Sequence, residues 1–169
     1  MKKRLVTLLG VPALLLLGLA FASPAYADSP HFVSASAALS GQNLVVSWKE
    51  AGLGTNQLID YVAAGSASAT FVCVNKGGGN PSASNKTTVN GPVSANGTFS
   101  SGKNGQVTAS LTLEPPGPGS FTCPTGQSLQ VAEVSYTGVS ISDSTNGVTK
   151  SLSGTFSTGC LLPKVRGAC

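Results

Sequence analysis

The chain has 169 residues, of which only 9% are charged, and its formal net charge is +4. Three of the ten basic residues fall within the first four positions, before a long apolar stretch that ends in Ala25-Tyr26-Ala27. This is the pattern of a secretory signal peptide that is cleaved after residue 27. Without residues 1–27, seven basic residues face six acidic ones and the net charge falls to +1. The remaining basic residues are mostly scattered singly, which excludes the clustered basic face that nucleic-acid binding requires.

These features predict a signal peptide over residues 1–27, one domain over residues 28–158 and a C-terminal tail over residues 159–169. An uncleaved membrane anchor is the alternative, and Pro12 and the small residues at the cleavage site argue against it. The exported part has 169 minus 27, or 142, residues, enough for one domain with its own core. We expect a secreted, extracellular monomer that makes no membrane contact after cleavage.

Alternation of apolar and polar residues predicts β-strands along most of the exported part. In residues 42–50, Leu44, Val46 and Trp48 share one face, and we expect Trp48 to lie in the core. Residues 66–76 and 105–113 alternate in the same way. Further strands are predicted over residues 32–39, 58–64, 93–100, 129–141 with a bulge or break near Gly138, and 148–156.

Turn signals separate these runs. Asn104-Gly105 and Asn146-Gly147 favour the positive φ angles of tight hairpins. Residues 114–127 hold four prolines and three glycines, which predicts a surface loop. About eight or nine strands at this spacing predict an all-β, antiparallel, disulfide-linked sandwich of immunoglobulin-like architecture, with a β-barrel as the alternative. The immunoglobulin comparison concerns architecture only, because the single tryptophan precedes all the cysteines.

The four cysteines, Cys73, Cys123, Cys160 and Cys169, all lie in the exported part, where an oxidising compartment can pair them. Four cysteines allow three connectivities. We favour Cys73 with Cys123, because both adjoin predicted strands, and Cys160 with Cys169, because this bond would close a short loop. Zinc coordination by four thiolates is the alternative, but the chain contains no C-x-x-C pair.

Residues 71–87 place three glycines and the Lys86-Thr87 pair behind an apolar run, where a phosphate-binding loop would lie. The glycine positions of that motif are occupied by Asn80 and Asn85, and no helical period follows. We therefore predict a loop at the end of a strand that binds no nucleotide. Asn85 and Asn96 begin N-x-T sequences, which are glycosylation acceptors only in a host that modifies them.

The run from Cys73-Val-Asn-Lys to Ser-Asn-Lys86, with residues 101–106 and Cys123-Pro-Thr-Gly-Gln127, resembles a group of small secreted bacterial proteins of uncharacterised function. The resemblance covers most of the exported chain up to about residue 156. It implies an exported β domain in which Cys73 and Cys123 are paired, and it implies no activity. Residues 157–169 depart from the pattern of this group, so it gives no support to the second disulfide.

The residues of common catalytic sites are sparse in this chain. The exported part has one histidine, His31, whose position near the predicted new N-terminus is poor for a general base. Residues 100–103 match S-x-x-K, but companion motifs are absent and the segment has the composition of a turn. A single carboxylate in the turn at Asp143 is too few for a calcium site. A glycosidase pair could come from six carboxylates, of which sequence places no two together: Asp28, Glu50, Asp60, Glu114, Glu133 and Asp143.

We therefore predict no catalytic, cofactor-binding or metal residues, no cofactor, and a secreted non-catalytic binding module for an unknown protein or extracellular surface. Loops at one end of the sandwich would make the contact. One alternative is a protease inhibitor that presents residues 114–127 as a substrate-like loop braced by Cys123. Another is a small-ligand carrier, or an enzyme, with a cleft lined by Trp48, Tyr61 or Tyr136.

Overall fold

The computed structural model describes residues 29–79 and 85–169. The predicted signal peptide and positions 28 and 80–84 lie outside the described residues. Within the described ranges the chain forms eight strands: β1 (His31–Ser40), β2 (Asn43–Ala51), β3 (Leu58–Asn75), β4 (Lys86–Ser100), β5 (Val107–Leu113), β6 (Gln127–Asp143), β7 (Val148–Leu152) and β8 (Phe156–Ser157).

The strands form two antiparallel sheets. Sheet A has the order β1-β2-β5, and sheet B has the order β4-β3-β6-β7, with β8 also paired to β6. At the sides of the molecule β5 lies beside β4, and β1 lies beside β7. The predicted all-β antiparallel sandwich is confirmed. The β-barrel alternative is not adopted, because in the described residues no strand pairing joins sheet A to sheet B.

Alternate residues of the strands build one core between the sheets, as the period of two predicts. On β2 the residues at 44, 46, 48 and 50 are buried, while those between them are half-buried. Trp48 lies in this core, 4.7 Å from the Tyr61 ring centroid and 5.5 Å from that of Phe99. The buried core residues are Leu44, Val46, Trp48, Leu53, Ile59, Tyr61, Ala63, Ala67, Ala69, Phe71, Val107, Leu113, Val134, Tyr136, Val139 and Ile141.

The two strands predicted over residues 58–64 and 66–76 form the single long strand β3. A β-bulge lies at the junction: Ala64 pairs with Ser140 and Ser66 pairs with Thr137, so β6 has one extra residue here. A Cβ at Gly65 would lie 3.2 Å from the Thr137 carbonyl oxygen, so the strands approach closely only because position 65 is glycine. Gly138, with φ +60°, is the irregularity predicted for β6.

Strand β4 begins seven residues before the predicted strand over 93–100. The added part of β4 contains Gly91 and Pro92, and proline is tolerated here because β4 lies at the edge of sheet B. At the other side of the sheet, the strand predicted over 148–156 is divided into β7 and β8. Gly154, with φ +109°, lies in the interruption.

The sandwich has two ends, which we name for the groups they hold. The acidic end, where β2 and β6 finish and β3 begins, carries loops 52–57, 101–106 and 144–147 and the buried residues Glu50 and Asp143. The disulfide end carries the Cys73–Cys123 bond, loop 114–126 and residues 158–169 with the Cys160–Cys169 bond.

Candidate functional site

Strand β4 has a free edge. It pairs with β3 continuously from Lys86 to Ser100, and within the described residues no strand pairs with its other side. The register has no shift along this length, so the edge is straight over fifteen residues. Backbone N–H and C=O groups on such an edge can pair with another chain.

The position of Pro92 shows which residues of β4 offer these groups. In an antiparallel strand the N–H and C=O of one residue point to the same side, and successive residues alternate between sides. Pro92 has no N–H to donate, which fits a residue whose backbone faces away from β3. With a regular register, the other even-numbered residues of β4 therefore offer their backbone groups to the free edge, including Asn90 and Ser94.

The outer face of sheet B beside this edge is polar but almost uncharged. Thr70 and Thr88 share a hydrogen bond of 3.0 Å between their hydroxyls, and Ser142 and Thr149 share one of 2.9 Å. The side chains of this face are mostly serine, threonine and asparagine: Ser66, Ser68, Thr70, Thr88, Asn90, Ser94, Asn96, Thr98, Ser135, Thr137, Ser140, Ser142, Thr149 and Ser151. Asp60 accepts a hydrogen bond from Thr98, and Glu133 accepts one from Ser157.

Two loops of the acidic end are locked together by a buried serine. Ser101 is 1% exposed; its Oγ donates to the Gly54 carbonyl at 2.6 Å and accepts from the Gln57 N–H at 2.9 Å. Backbone bonds from Leu53 to Gly105 and from Asn56 to Gly102 complete the contact. The S-x-x-K match at residues 100–103 therefore has a structural use, which is to hold loop 52–57.

Beneath these loops lies a buried acidic cluster, which we define as Trp48, Glu50, Tyr61 and Asp143. Glu50 and Tyr61 are fully buried, and Asp143 is 1% exposed. The Trp48 indole N–H, the Tyr61 hydroxyl and both Glu50 carboxylate oxygens have no well-formed hydrogen bond. Asp143 accepts 2.9 Å and 2.6 Å bonds from the Asn146 backbone N–H and side-chain amide. Polar groups buried without partners are rare in folded proteins and call for an explanation.

The proton affinities of the cluster reflect its burial. Loss of hydration raises the pKa of Glu50 from 4.5 to about 7, and nearby Asp143 adds to the rise, while Tyr61 and His31 oppose it. Burial, followed by the neighbouring Glu50, raises the pKa of the Tyr61 hydroxyl. Near neutral pH, Glu50 therefore changes between a neutral and a charged form inside the core.

The disulfide end is closed by different means. The Tyr136 hydroxyl, also fully buried, donates to the carbonyls of Gln42 and Leu113, with O···O distances of 2.8 Å and 3.2 Å. Burial, with a smaller contribution from Glu114, raises the pKa of Tyr136 to about 12. The residues that close this end thus stay in one protonation state over the physiological pH range.

The final residues cover the outer side of sheet B at this end. Ala168 is buried against Val72, Val74 and Ala132, and its carbonyl accepts a 2.9 Å bond from the Lys86 ammonium. Disulfides join Cys73 to Cys123 and Cys160 to Cys169, the two pairs favoured by sequence. Two disulfides are consistent with a compartment outside the reducing cytosol.

Among the residues singled out by sequence, the structure brings Glu50 and Asp143 together and leaves others apart. His31 lies exposed at the start of β1, where its ring contacts the Ser29 carbonyl at 2.8 Å. Glu50 and Asp143 are sealed from solvent, so in this conformation the pair cannot reach a glycosidic bond. Their burial was overlooked, although position 50 continues the inward series 44, 46, 48 and position 143 continues 139, 141.

The aromatic cleft expected for a ligand carrier is absent from the described residues. Tyr61 and Tyr136 are fully buried and Trp48 is 2% exposed, so none presents a ring to solvent. The proposed inhibitory loop lies at the disulfide end, with Phe121 packed against the core. The inhibitor interpretation stays a prediction. Asn96 is exposed on the outer face of sheet B, and Asn85 is half-buried just before β4.

Within residues 29–79 and 85–169, no three His, Cys, Asp or Glu side chains are grouped so that they could hold a metal ion. The same ranges contain no helix that is long and apolar enough to span a membrane.

Comparisons with known proteins give no family. No family model matches the chain, and no curated protein matches it. Among solved structures, the solution structure of CsgH from R. palustris is similar over 76% of this chain and 90% of that one, with 12% sequence identity and a TM-score of 0.21. A TM-score this low carries no argument about fold or function.

Proposed function

We propose that the protein is a secreted, non-catalytic binding module that pairs an extended segment of another polypeptide along the free edge of β4. One observation carries this proposal: among the residues that the structure describes, β4 pairs with a strand on one side only along its fifteen residues, and every position after Lys86 is uncharged. Strand addition of this kind takes its affinity from main-chain hydrogen bonds and its specificity from the side chains of alternate residues.

The lack of charge along the free edge of β4 supports its use as a binding site for another strand. Natural edge strands are commonly protected by lysines or inward-pointing charges. The only charged residue of β4 is Lys86, and its ammonium group is occupied by the Ala168 carbonyl. The free edge, which β5 of the other sheet lies beside, therefore carries no charge that would have to be desolvated when another strand pairs with it.

Pro92 limits what can bind. Because it lacks an N–H, it interrupts the row of donors and divides the edge into segments 86–91 and 93–100. A partner strand would pair with one of these segments rather than with the full length. This interruption also opposes stacking of identical edges, in keeping with the predicted monomer.

The outer face of sheet B defines the chemistry of the partner. Side chains of a paired segment would alternate between this hydroxyl-rich face and the side of sheet A. We therefore expect an extended, weakly charged segment rich in small polar and β-branched residues. Charged side chains would find no opposite charge near the middle of β4, where the outward residues are Asn90, Ser94 and Asn96.

A peptide library tests this function. We would select phage-displayed dodecapeptides on the immobilised, disulfide-bonded protein and measure the affinity of synthetic copies by isothermal titration. Ser94→Pro and Asn90→Pro each remove one free-edge N–H without removing a bond to β3. We expect one of them to weaken peptide binding about five- to tenfold, since a main-chain hydrogen bond in a formed interface contributes roughly 1–1.5 kcal/mol.

The matched controls are Ser94→Ala and Asn90→Ala, which remove the side chain and keep the backbone N–H. Peptides that pair along the edge should tolerate these alanines better than the prolines. Selected peptides that bind all four variants equally would show that recognition lies elsewhere. An alanine effect as large as the proline effect would point to the outer face instead of the edge.

A further inference from the structure

Strand addition along β4 does not explain the acidic cluster, although Phe99 of β4 packs against Trp48 and Tyr61. Glu50 is fully buried and its carboxylate oxygens have no well-formed hydrogen bond. The two neighbouring donors, the Trp48 indole N–H and the Tyr61 hydroxyl, also lack a well-formed hydrogen bond, although Tyr61 lies near enough to Glu50 to lower its pKa. A carboxyl group in such a site is stable when it is neutral and costly when it is ionised.

We propose that a proton on Glu50 controls the acidic end: the protonated carboxyl group holds β2, β3 and β6 together, and its loss opens this end of the sandwich. The inference is independent of the partner proposed for β4. It concerns a conformational device of the fold.

Groups on each neighbouring strand affect how readily Glu50 loses its proton. Tyr61 of β3 and His31 of β1 favour the ionised form of Glu50, whereas Asp143 of β6 disfavours it. On β2 itself the next inward residue is Trp48, which does not titrate. Apolar residues occupy the other contacts: Phe32 of β1 and Val107 of β5 pair with Glu50, and Val148 of β7 pairs with Asp143.

Asp143 explains why the protonation state of Glu50 affects the contact between β2 and β6. Its carboxylate is fixed by Asn146 in the turn that follows β6 and is buried beside Glu50. A protonated Glu50 can donate its O–H to this carboxylate and so link β2 to β6. When the proton leaves, two buried carboxylates lie side by side, and the cluster contains no cation to balance them.

The direction of the pH effect follows from the pKa of Glu50 in the closed and open forms. In an open form Glu50 would regain hydration and its usual pKa of 4.5, whereas in the closed form it has a pKa of about 7. The closed form is therefore fully favoured below about pH 4.5 and loses this advantage as the pH rises through 7. Over this range the equilibrium constant for opening should increase by roughly two orders of magnitude.

The chain carries its own reporter. Trp48 is the single tryptophan, and its ring centroid lies 4.7 Å from that of Tyr61 inside the cluster. We would titrate the tryptophan fluorescence of the oxidised protein from pH 4 to pH 9 and repeat the titration with a neutral quencher such as acrylamide. We expect one transition with a midpoint near pH 7, together with stronger quenching on its alkaline side.

Three variants test whether the fluorescence transition comes from Glu50. Glu50→Gln keeps the shape of the protonated acid and should abolish it. Glu114→Gln removes an exposed carboxylate and should leave it unchanged. His31→Gln removes a group that favours the ionised form of Glu50, so it should keep the transition and move its midpoint slightly upward. A transition that persists in Glu50→Gln, or one that disappears in His31→Gln, would overturn the proposal.

A direct measurement on the unmodified protein covers the case in which Glu50→Gln fails to fold. The chain has three glutamates, Glu50, Glu114 and Glu133, so carboxyl-labelled glutamate gives three resonances in a ¹³C spectrum. We expect one to titrate near pH 7 with a midpoint that matches the fluorescence change. Three resonances that all titrate near pH 4 would refute the proposal.

Discussion

Each end of the sandwich buries one tyrosine completely, but only one of the two hydroxyls makes well-formed hydrogen bonds. At the disulfide end, the Tyr136 hydroxyl of β6 donates to the Leu113 carbonyl of β5 and to the Gln42 carbonyl in the turn between β1 and β2. At the acidic end, Tyr61 has no well-formed bond and lies against Glu50, whose pKa is raised to about 7. The disulfide end is closed by two disulfides and by hydrogen bonds. In our proposal, closure of the acidic end depends on a proton on Glu50.

This difference shows how one core can have one end that is fixed by disulfides and another that contains a group titrating near neutral pH. Loop 114–126 and residues 158–169 are long and irregular, yet two disulfides anchor them. The loops of the acidic end are short and held by Ser101, but beneath them lies a group that titrates. Loop length alone is therefore a poor guide to which end can open.

The largest expected effect comes from the disulfide end. Replacing Cys73 and Cys123 with alanine removes a link between residues 50 positions apart, which should lower the free energy of unfolding by about 4 kcal/mol in the chain-entropy model. Urea unfolding of the purified variant measures it. The control replaces Cys160 and Cys169, 9 positions apart, and should lose less, about 3 kcal/mol at most. A larger loss in the control would contradict this ranking.

Glu50→Gln should remove most of the pH dependence of stability. A rise in the pKa of Glu50 from 4.5 to about 7 makes the native protein about 3 kcal/mol less stable above pH 8 than below pH 4.5, relative to a variant without this group. Urea midpoints of both proteins at pH 4.5, 6, 7 and 8.5 test this. Parallel pH profiles would show that the acidic end does not respond to protons.

The two tyrosines provide a matched pair. At pH 5, Tyr136→Phe should cost about 1–2 kcal/mol, because the buried Leu113 carbonyl and the Gln42 carbonyl lose the donor that they share. Tyr61→Phe should change stability by less than about 0.5 kcal/mol at the same pH, because its hydroxyl makes no well-formed bond. Equal losses would mean that Tyr61 has a partner in solution and that the contrast between the ends is smaller than the structure indicates.

The most local effect is expected for Ser101→Ala. It leaves the Gln57 N–H and the Gly54 carbonyl without their partner and should cost about 1 kcal/mol. Amide hydrogen exchange should become faster in residues 52–57 while the disulfide end is unchanged. Ser100→Ala, at an exposed neighbouring position, is the control. Exchange that rises equally at both ends would show that Ser101 contributes to global stability and not to the local lock.

Much of the fold could be predicted from local patterns. The alternation over residues 42–50 and 105–113 predicted which side chains enter the core, because the side-chain period of a strand is a local property. The irregularity at Gly138 was also visible, since glycine adopts a positive φ readily. The first half of β4 was missed because Gly91-Pro92 is a break in a central strand but is acceptable at an edge.

The candidate sites depended on information that local patterns do not contain. The alternation of β2 extends to Glu50 and could have placed it inward, but its meeting with Asp143 required the pairing of β3 with β6 and the stacking of the two sheets. The expected position of Trp48 in the core is confirmed, and the stacked sheets place its ring against Tyr61, so it does not line the cleft that a ligand carrier would need.

The sequence by itself determined the strands, most of their inward faces and the cysteines available for bonding, since spacing and residue type act within a few positions of the chain. The tertiary structure decided which strand has a free edge, which tyrosine finds a hydrogen-bond acceptor and which carboxyl group keeps its proton near neutral pH. These properties depend on hydration and on partners contributed by distant segments, and both are defined only when the sheets have packed together.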